Sequence, residues 1–326
     1  MNYLLCSVGR RGELLKDCRK SLPNEARIIA TDNSPYAPAL YFADKQYIVP
    51  RIDAPDYIDV LLDICVKEKV RVVTTFIDPE IELLAQNRDR FERIGVEVLA
   101  PYKKTAELCF NKYLMFKYLR EQGILTTMTW GTLQDFDVDY TSNVVKFPVF
   151  VKPRTGSGSV GARRINTYEE LKIAMEQDPG LIIQELMDCQ DLDADVYIDT
   201  ISHKAVSAFS KRKIETRIGG ASKTISFKDP ELFEFIQKIA NVLEFNGPVD
   251  MDFFYKDGRY YLSEINPRFG GAYLHAYGAG VDFFELIENN LRGIANKPSF
   301  GKYEEGVVMM MYDSVVICKA EEIVKG

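Results

Sequence analysis

The chain has 326 residues, 46% of them hydrophobic and 27% charged, with a formal net charge of −7 and an isoelectric point near 5.2. This is the balance of a folded globular protein with room for two or three domains, and its acidity excludes a phosphate-backbone binder, which needs a basic footprint. No apolar run approaches the roughly 20 residues that span a bilayer, so neither nucleic acid nor membrane is an expected partner. The segment Met1–Leu15 has no basic start and no small-residue cleavage site, so it does not read as a secretory signal. Six scattered cysteines without a CxxC pair, and two histidines (His203 and His275) distant from them in sequence, argue against a zinc or disulfide framework and for a reduced cytoplasm.

In chain order, Tyr3–Val8 reads as a buried strand, followed by a helix from about Gly12. Arg27–Asp32 is a second strand and ends in a turn-rich segment. Val70–Phe76 is a third, followed by a helix from about Pro79, and Val96–Leu99 closes the set. Strands alternating with helices predict a parallel sheet covered on both faces over residues 1–104. A helical stretch then runs from Thr105 to a stop at Gly123. Beyond it come a strand over Phe147–Pro153, a Gly/Ser loop, a helix near Tyr168–Glu176 and a strand over Leu181–Leu186. Two long β segments, Pro248–Tyr255 and Arg259–Ile265, flank the turn at Lys256-Asp257-Gly258. Residues 105–326 are therefore expected to form an α+β module. Val307–Ile317 is apolar enough to be an edge strand or an interface.

The first strand-to-helix turn invites a dinucleotide reading, with Gly9 and Gly12 after the strand and Asp32 about twenty residues later. The fingerprint G-x-G-x-x-G is not met, because Gly9-Arg10-Arg11-Gly12 lacks one turn glycine and carries two bulky cations. A tight turn in a Rossmann-like sheet is the better reading. A further one has Arg10 or Arg11 holding an anionic substrate at the helix N-terminus.

Chemistry concentrates in four stretches. Glu264 and Asn266 are two apart on a strand and share a face. Asp252 lies twelve residues earlier on the preceding strand. A two-residue loop at Asp257-Gly258 would put Asp252 and Glu264 on opposite faces. A three-residue loop with a bulge at Gly258 would set them directly opposite each other, and this is the expected arrangement. The resulting oxygen cluster suits a hard divalent cation, and Arg268 follows within reach of a phosphate or acyl-phosphate oxygen. The second stretch is Lys152 followed by Thr155–Gly161, where backbone N–H groups of Ser157, Gly158 and Ser159 can wrap phosphate oxygens. It is not a Walker loop, since the lysine precedes the glycines. Gln184-Glu185-Leu186-Met187 and Asn111-Lys112 complete the set.

In this order and spacing, FPVFVKP, the glycine-rich loop, IQE and EINPRFGG resemble the ATP-grasp superfamily, across the whole chain. They look closest to the branch of biotin carboxylase and the carbamoyl-phosphate synthetase large subunit. The resemblance implies an α/β, Rossmann-like pre-ATP-grasp domain (1–104) and an ATP-grasp domain (105–326) with a mobile lid at about 113–187. It implies that Lys112 and Lys152 contact ATP phosphates, that the loop around Ser157, Gly158 and Ser159 closes over them, and that Gln184 to Met187 frame the adenine. Asp191 falls where the family has a glutamate on the ribose, so the shorter acid is a departure. Asp252, Glu264 and Asn266 would hold two Mg²⁺ ions, with Mn²⁺ as a substitute; Asp252 departs from the Glu or Gln usual there. Lys152 and Arg268 are the implied catalytic residues, with Arg268 stabilising the transferred phosphoryl group or the intermediate.

The basic segment Lys211–Gly220 corresponds to one that binds phosphate or substrate in related members. The substrate is expected among Arg10, Arg11, Arg217, Arg268, Gly270, Gly271 and His275. The implied activity is that of a stand-alone ADP-forming ligase. ATP phosphorylates a small-molecule carboxylate, and an amine or similar nucleophile attacks the acyl phosphate. A homodimer is also implied, since many relatives dimerise. Two alternatives stand beside this reading: a nucleotide-binding regulatory module without turnover, and an NAD-dependent enzyme using the N-terminal sheet.

Overall fold

The computed structural model describes residues 1–156, 161–217 and 220–325. The N-terminal part is a parallel sheet of β1 (Asn2–Cys6), β2 (Ile28–Asp32), β3 (Lys45–Ile48), β4 (Val70–Thr75) and β5 (Glu97–Val98), in the order β3-β2-β1-β4-β5. Its helices are α1 (Gly12–Ser21), α2 (Tyr57–Glu68), α3 (Asp78–Gln86) and α4 (Arg88–Arg93). Alternate side chains of β1 feed two cores, because strand residues point to opposite faces by turns. Leu4 and Cys6 pack with Tyr57, Ile58 and Leu61 of α2, whereas Tyr3 and Leu5 belong to a core that continues into the second half of the chain. The order of the strands reverses between β1 and β4, and the carboxyl ends beside such a switch point form the crevice of an open α/β sheet.

Two helices follow, α5 (Lys103–Phe110) and α6 (Lys112–Glu121). The single stretch expected from Thr105 to Gly123 is thus broken at Asn111. Asn111 takes an extended backbone conformation and caps α6 through a bond from the Leu114 N–H (3.2 Å). The lid is a four-stranded antiparallel sheet with β6 (Thr129–Trp130), β7 (Val149–Pro153), β8 (Arg163–Ile165) and β9 (Leu181–Glu185). Helices α7 (Leu133–Thr141) and α8 (Tyr168–Gln177) cover it. Its core, which includes Trp130, Phe136, Val149, Val151, Leu171 and Ile183, is separate from the other two.

The remainder is a six-stranded antiparallel sheet in the order β14-β13-β10-β11-β12-β15, made of β10 (Gln190–Ile198), β11 (Ala205–Arg217), β12 (Gly220–Phe227), β13 (Gly247–Lys256), β14 (Arg259–Asn266) and β15 (Val308–Met310). With it go α9 (Pro230–Val242), α10 (Tyr273–Gly278) and α11 (Phe283–Leu291). β15 is the edge strand anticipated within Val307–Ile317; Tyr312, Val315 and Ile317 beyond it are exposed.

The β13–β14 hairpin corrects the sequence reading. Lys256 pairs with Arg259, so the loop has two residues, Asp257 (φ 51°) and Gly258 (φ 74°). Both positive values suit the tight right-twisted hairpin turn. The bulge lies elsewhere: Asp252 pairs with Glu264 and Phe253 with Leu262, which leaves Ser263 as the extra residue. Asp252 and Glu264 therefore face each other as expected, by a different route.

Because the lid core is its own cluster, Phe136→Ala should remove about 3 to 5 kcal/mol of local stability. Hydrogen exchange should then show faster exchange over 129–185, with the N-terminal sheet unchanged.

Candidate active site

One face of the large sheet carries charge in rows, because residues paired across antiparallel strands point the same way. Lys211, Asp193, Asp252 and Glu264 lie in register across β11, β10, β13 and β14. The next row holds Asp195, Asp250 and Asn266. Burying like charges this densely is costly without counter-ions. Lys211, fully buried, supplies one: its Nζ lies 3.0 Å from Asp193 Oδ1 and bonds directly to Asp195. Lys213 reaches Asp191 (2.9 Å) and bonds to Asp252. Lys112, at the start of α6, sits 3.4 Å from Glu264 and donates to the Gly156 carbonyl.

The carboxyl groups register the crowding. Burial pushes Asp252 up to about 6, against the pull of Lys213. Burial, then the charge of Asp193, pushes Asp250 up to about 7. Lys211 is raised, since three carboxylates outweigh its burial, so it stays protonated. Lys152 is lowered by burial, with Glu264 opposing and Lys112 reinforcing the shift.

Between lid and sheet lies a cavity of about 590 Å³ lined by Lys112, Lys152, Gln184, Glu185, Leu186, Met187, Asp191, Asp252 and Glu264. The expected phosphate, adenine, ribose and metal positions thus converge, drawn from α6, β7, β9, β10, β13 and β14. Phe150 and Lys152, two apart on β7, turn the same way, and Gln184 pairs with Phe150 across β9. The Glu185 carboxylate accepts the Met128 N–H (3.0 Å), and Gln184 donates to Thr129 (2.8 Å). Asn266 lines a small adjoining recess with Asp78 and Cys109. Asp252 and Glu264 line the cavity and Glu264 and Asn266 the adjoining recess, and these hard oxygen donors are of the kind that fits a divalent cation, the two acids meanwhile holding lysine ammonium groups. Ser157, Gly158 and Ser159 lie outside the described residues.

The expected substrate residues are dispersed. Arg11 donates to the Gly270 carbonyl (2.9 Å), and its pKa falls to about 10 through burial and then Arg268. Arg10 and Arg217 are exposed, and both approach the carboxylate of Asp313, at 3.7 and 3.6 Å. Gly270 lies against the sheet acids, where an added Cβ would sit 2.6 Å from Asp195 Oδ1, whereas at Gly271 the nearest atom is the Arg11 guanidinium at 3.7 Å. His275 turns away from the cleft. It is 2% exposed, with Nδ1 2.7 Å from Thr224 Oγ1 and Nε2 3.1 Å from the Val307 carbonyl, and burial, then Lys211, lowers its pKa to about 4. Asp32 is spent on the turn itself, accepting the N–H groups of Gly9 (2.8 Å) and Ser34 (3.0 Å), which removes the ribose ligand that a dinucleotide site needs.

Sequence reasoning passed over Asp193, Asp195, Asp250 and Asp78. For the first three a signal existed: Asp191-Leu-Asp-Ala-Asp-Val196 and Val249-Asp-Met-Asp-Phe253 alternate acid and apolar residues with the period of a strand. Phe150 and Phe254, which wall the cavity, carried none.

Residues 84–272 match the ATP-grasp domain, and residues 3–99 match the PylC-like N-terminal domain. The chain belongs to the ATP-grasp family, the class that its fold and its cleft between lid and sheet define. It is 26% identical over 259 residues to a formate-dependent phosphoribosylglycinamide formyltransferase of Haloquadratum walsbyi, an alignment covering 74% of this chain and 61% of that protein. The biotin carboxylase domain of the Hydrogenobacter thermophilus 2-oxoglutarate carboxylase, solved with MgADP and bicarbonate, superposes with a TM-score of 0.73 at 16% identity, covering 94% of this chain and 73% of that one. The N5-carboxyaminoimidazole synthetase of Staphylococcus aureus, solved with ADP, also gives 0.73 at 16% identity, covering 92% and 79%. The expected architecture, a Rossmann-like domain followed by an ATP-grasp fold, is the one found. Among the described residues, no helix is long and apolar enough to cross a membrane.

If Asp252 holds a cation, as expected, that cation and a proton must compete for it. With its carboxyl near 6, Mg-ADP affinity should be level above about pH 7 and fall about tenfold per unit below about pH 6. Titration calorimetry from pH 5 to 8 reads this directly, and a level profile throughout would remove Asp252 from the cation site.

Proposed function

We propose that the protein is a Mg-ATP-dependent, ADP-forming ligase that activates a small carboxylate as an acyl phosphate for attack by an amine or similar nucleophile. The observation that carries this reading is the facing pair Asp252–Glu264 at the edge of a nucleotide-sized cavity that also holds Lys112 and Lys152. The relatives support the chemistry: one is named for formate, and another was solved with bicarbonate beside MgADP.

The reaction needs no covalent nucleophile from the protein. A substrate carboxylate oxygen bonds to the γ-phosphorus as the bond to ADP breaks. The amine lone pair then attacks the carbonyl carbon, phosphate departs with the bridging oxygen, and the amine loses a proton. Lys112 and Lys152 offset charge that develops on the phosphoryl oxygens, in a site where water screens poorly. Arg268 stabilises the transferred group, and the lid limits hydrolysis of the intermediate. Asp252, Glu264 and Asn266 would hold two Mg²⁺ ions, replaceable by Mn²⁺, which supply further charge neutralisation at the polyphosphate.

Gln184 to Met187 and Asp191 bind the nucleoside, with Ser157, Gly158 and Ser159 closing over the phosphates. Arg10, Arg11, Arg217, Gly270 and Gly271 flank the carboxylate and amine side; His275, buried with both ring nitrogens engaged, is not assigned there. The domains divide at residue 104, where β5 has ended and α5 has begun, with the lid over about 113–187. A cytoplasmic homodimer completes the reading, supported by six free cysteines and by the apolar edge at β15.

The test is thermal unfolding with Mg²⁺ and a non-hydrolysable ATP analogue. Ligand at a hundred times its dissociation constant adds about 2.7 kcal/mol. Wild type should shift and Glu264→Ala largely should not. A wild-type shift with NADH in place of the ATP analogue contradicts the proposal.

A further inference from the structure

Arg268 is held from two sides. On one, its NH1 donates to Asp250 Oδ2 (3.1 Å) on the sheet and to the Phe269 carbonyl (3.1 Å). On the other, its Nε donates to Asp78 Oδ1 (2.9 Å), and NH2 makes a longer contact to Asp78 Oδ2 (3.5 Å). Asp78 opens α3 and comes from the N-terminal domain, 190 residues away in sequence. Two other contacts bind the same segments of the two domains together. Phe76 meets Phe269 edge to face with ring centroids 6.1 Å apart, and Arg11 donates to the Gly270 carbonyl. On its far side, the loop presses Gly270 onto Asp195 and Asp250, where no Cβ would fit.

An arginine side chain has much rotamer freedom to lose, and its planar fork is useful only when aimed. Among the described residues, four of the five N–H groups of Arg268 have protein acceptors. Among the described residues that leaves one N–H, on NH2, for a ligand, so the carboxylate that grips the Nε–NH2 edge decides where it points. Asp250 grips the opposite end and leaves rotation about that end open.

We propose that Asp78 is a positioning residue for the transfer reaction: by clamping the Nε–NH2 edge of Arg268, the N-terminal domain aims the remaining N–H at the group being transferred. This rests on the ligase reading above. Asp78 does not line the nucleotide cavity; it borders the adjoining recess with Asn266 and Glu264, and its side-chain hydrogen bonds there go to Arg268. The N-terminal sheet then completes the catalytic centre as well as flanking it.

The probe is MgADP with and without aluminium fluoride, a mimic of the phosphoryl group in flight, read by titration and by thermal shift. In Asp78→Asn the MgADP dissociation constant should stay within about twofold of wild type, while the tightening by fluoride falls about 100-fold, the scale of a small misplacement. Asp78→Glu, which keeps a two-oxygen charged acceptor, should recover most of it. In an Arg268→Lys background, Asp78→Asn should cause no further loss. Full fluoride tightening in Asp78→Asn, or parallel loss of MgADP binding, overturns the proposal, as does an additive double variant. Wild type that binds MgADP without any response to fluoride sinks the phosphoryl-transfer reading itself, which the variants cannot mimic.

Discussion

Everything in this active site depends on one constraint, the crowding of five carboxylates on a single sheet face, three of them buried and two half-buried. Asp193, Asp195, Asp250, Asp252 and Glu264 are brought together by strand register, and no local choice can separate them. A face of that kind persists only if cations are delivered to it. The fold delivers them from three elements: Lys211 and Lys213 from β11, Lys112 from α6, and Arg268 from the loop after β14. Lys211 neutralises the deepest group permanently. Those over Asp252 and Glu264 are half in the cavity, where a metal-bound polyphosphate can take their place or share the load. The same tension that makes the face expensive to bury makes it receptive to Mg-nucleotide.

The relation between the two halves follows from the same loop. Tyr3, Leu5 and Val8 of the first strand and its turn share a continuous core with Met251, Phe253, Ile265 and Phe269. The turn after β1 and the turn after β4 both reach the 266–271 segment. The crevice of the parallel sheet, where an open α/β fold ordinarily binds its ligand, is thereby aimed at the catalytic loop. The sheet over 129–185, by contrast, keeps a core of its own.

Much of this was legible in the sequence, for identifiable reasons. Glu264 and Asn266 share a face by strand period alone, and Lys152, expected at the end of a strand, does line the cavity from the end of β7. The pairing of Asp252 with Glu264 was expected, but the bulge was placed at Gly258 because glycine attracts such assignments; Ser263, with no local signature, is the residue that bulges. His275 was expected beside the substrate but bonds Thr224 and Val307 instead, since whether a histidine on a short helix meets a cleft or a neighbouring strand depends on tertiary packing. Asp78 was unreadable for a deeper reason. Its partner is 190 residues distant, and an aspartate before a proline at a helix start looks like nothing more than a favourable first turn.

The most direct measurement follows oxygen. Incubate the protein with Mg-ATP, a carboxylate such as formate labelled with ¹⁸O, and an amine panel, then examine the phosphate released. If the carboxylate attacks the γ-phosphorus, its oxygen becomes the bridge and leaves in inorganic phosphate, so labelled phosphate should appear in step with ADP. Unlabelled phosphate accompanying ligated product, or release of AMP, would contradict an acyl phosphate.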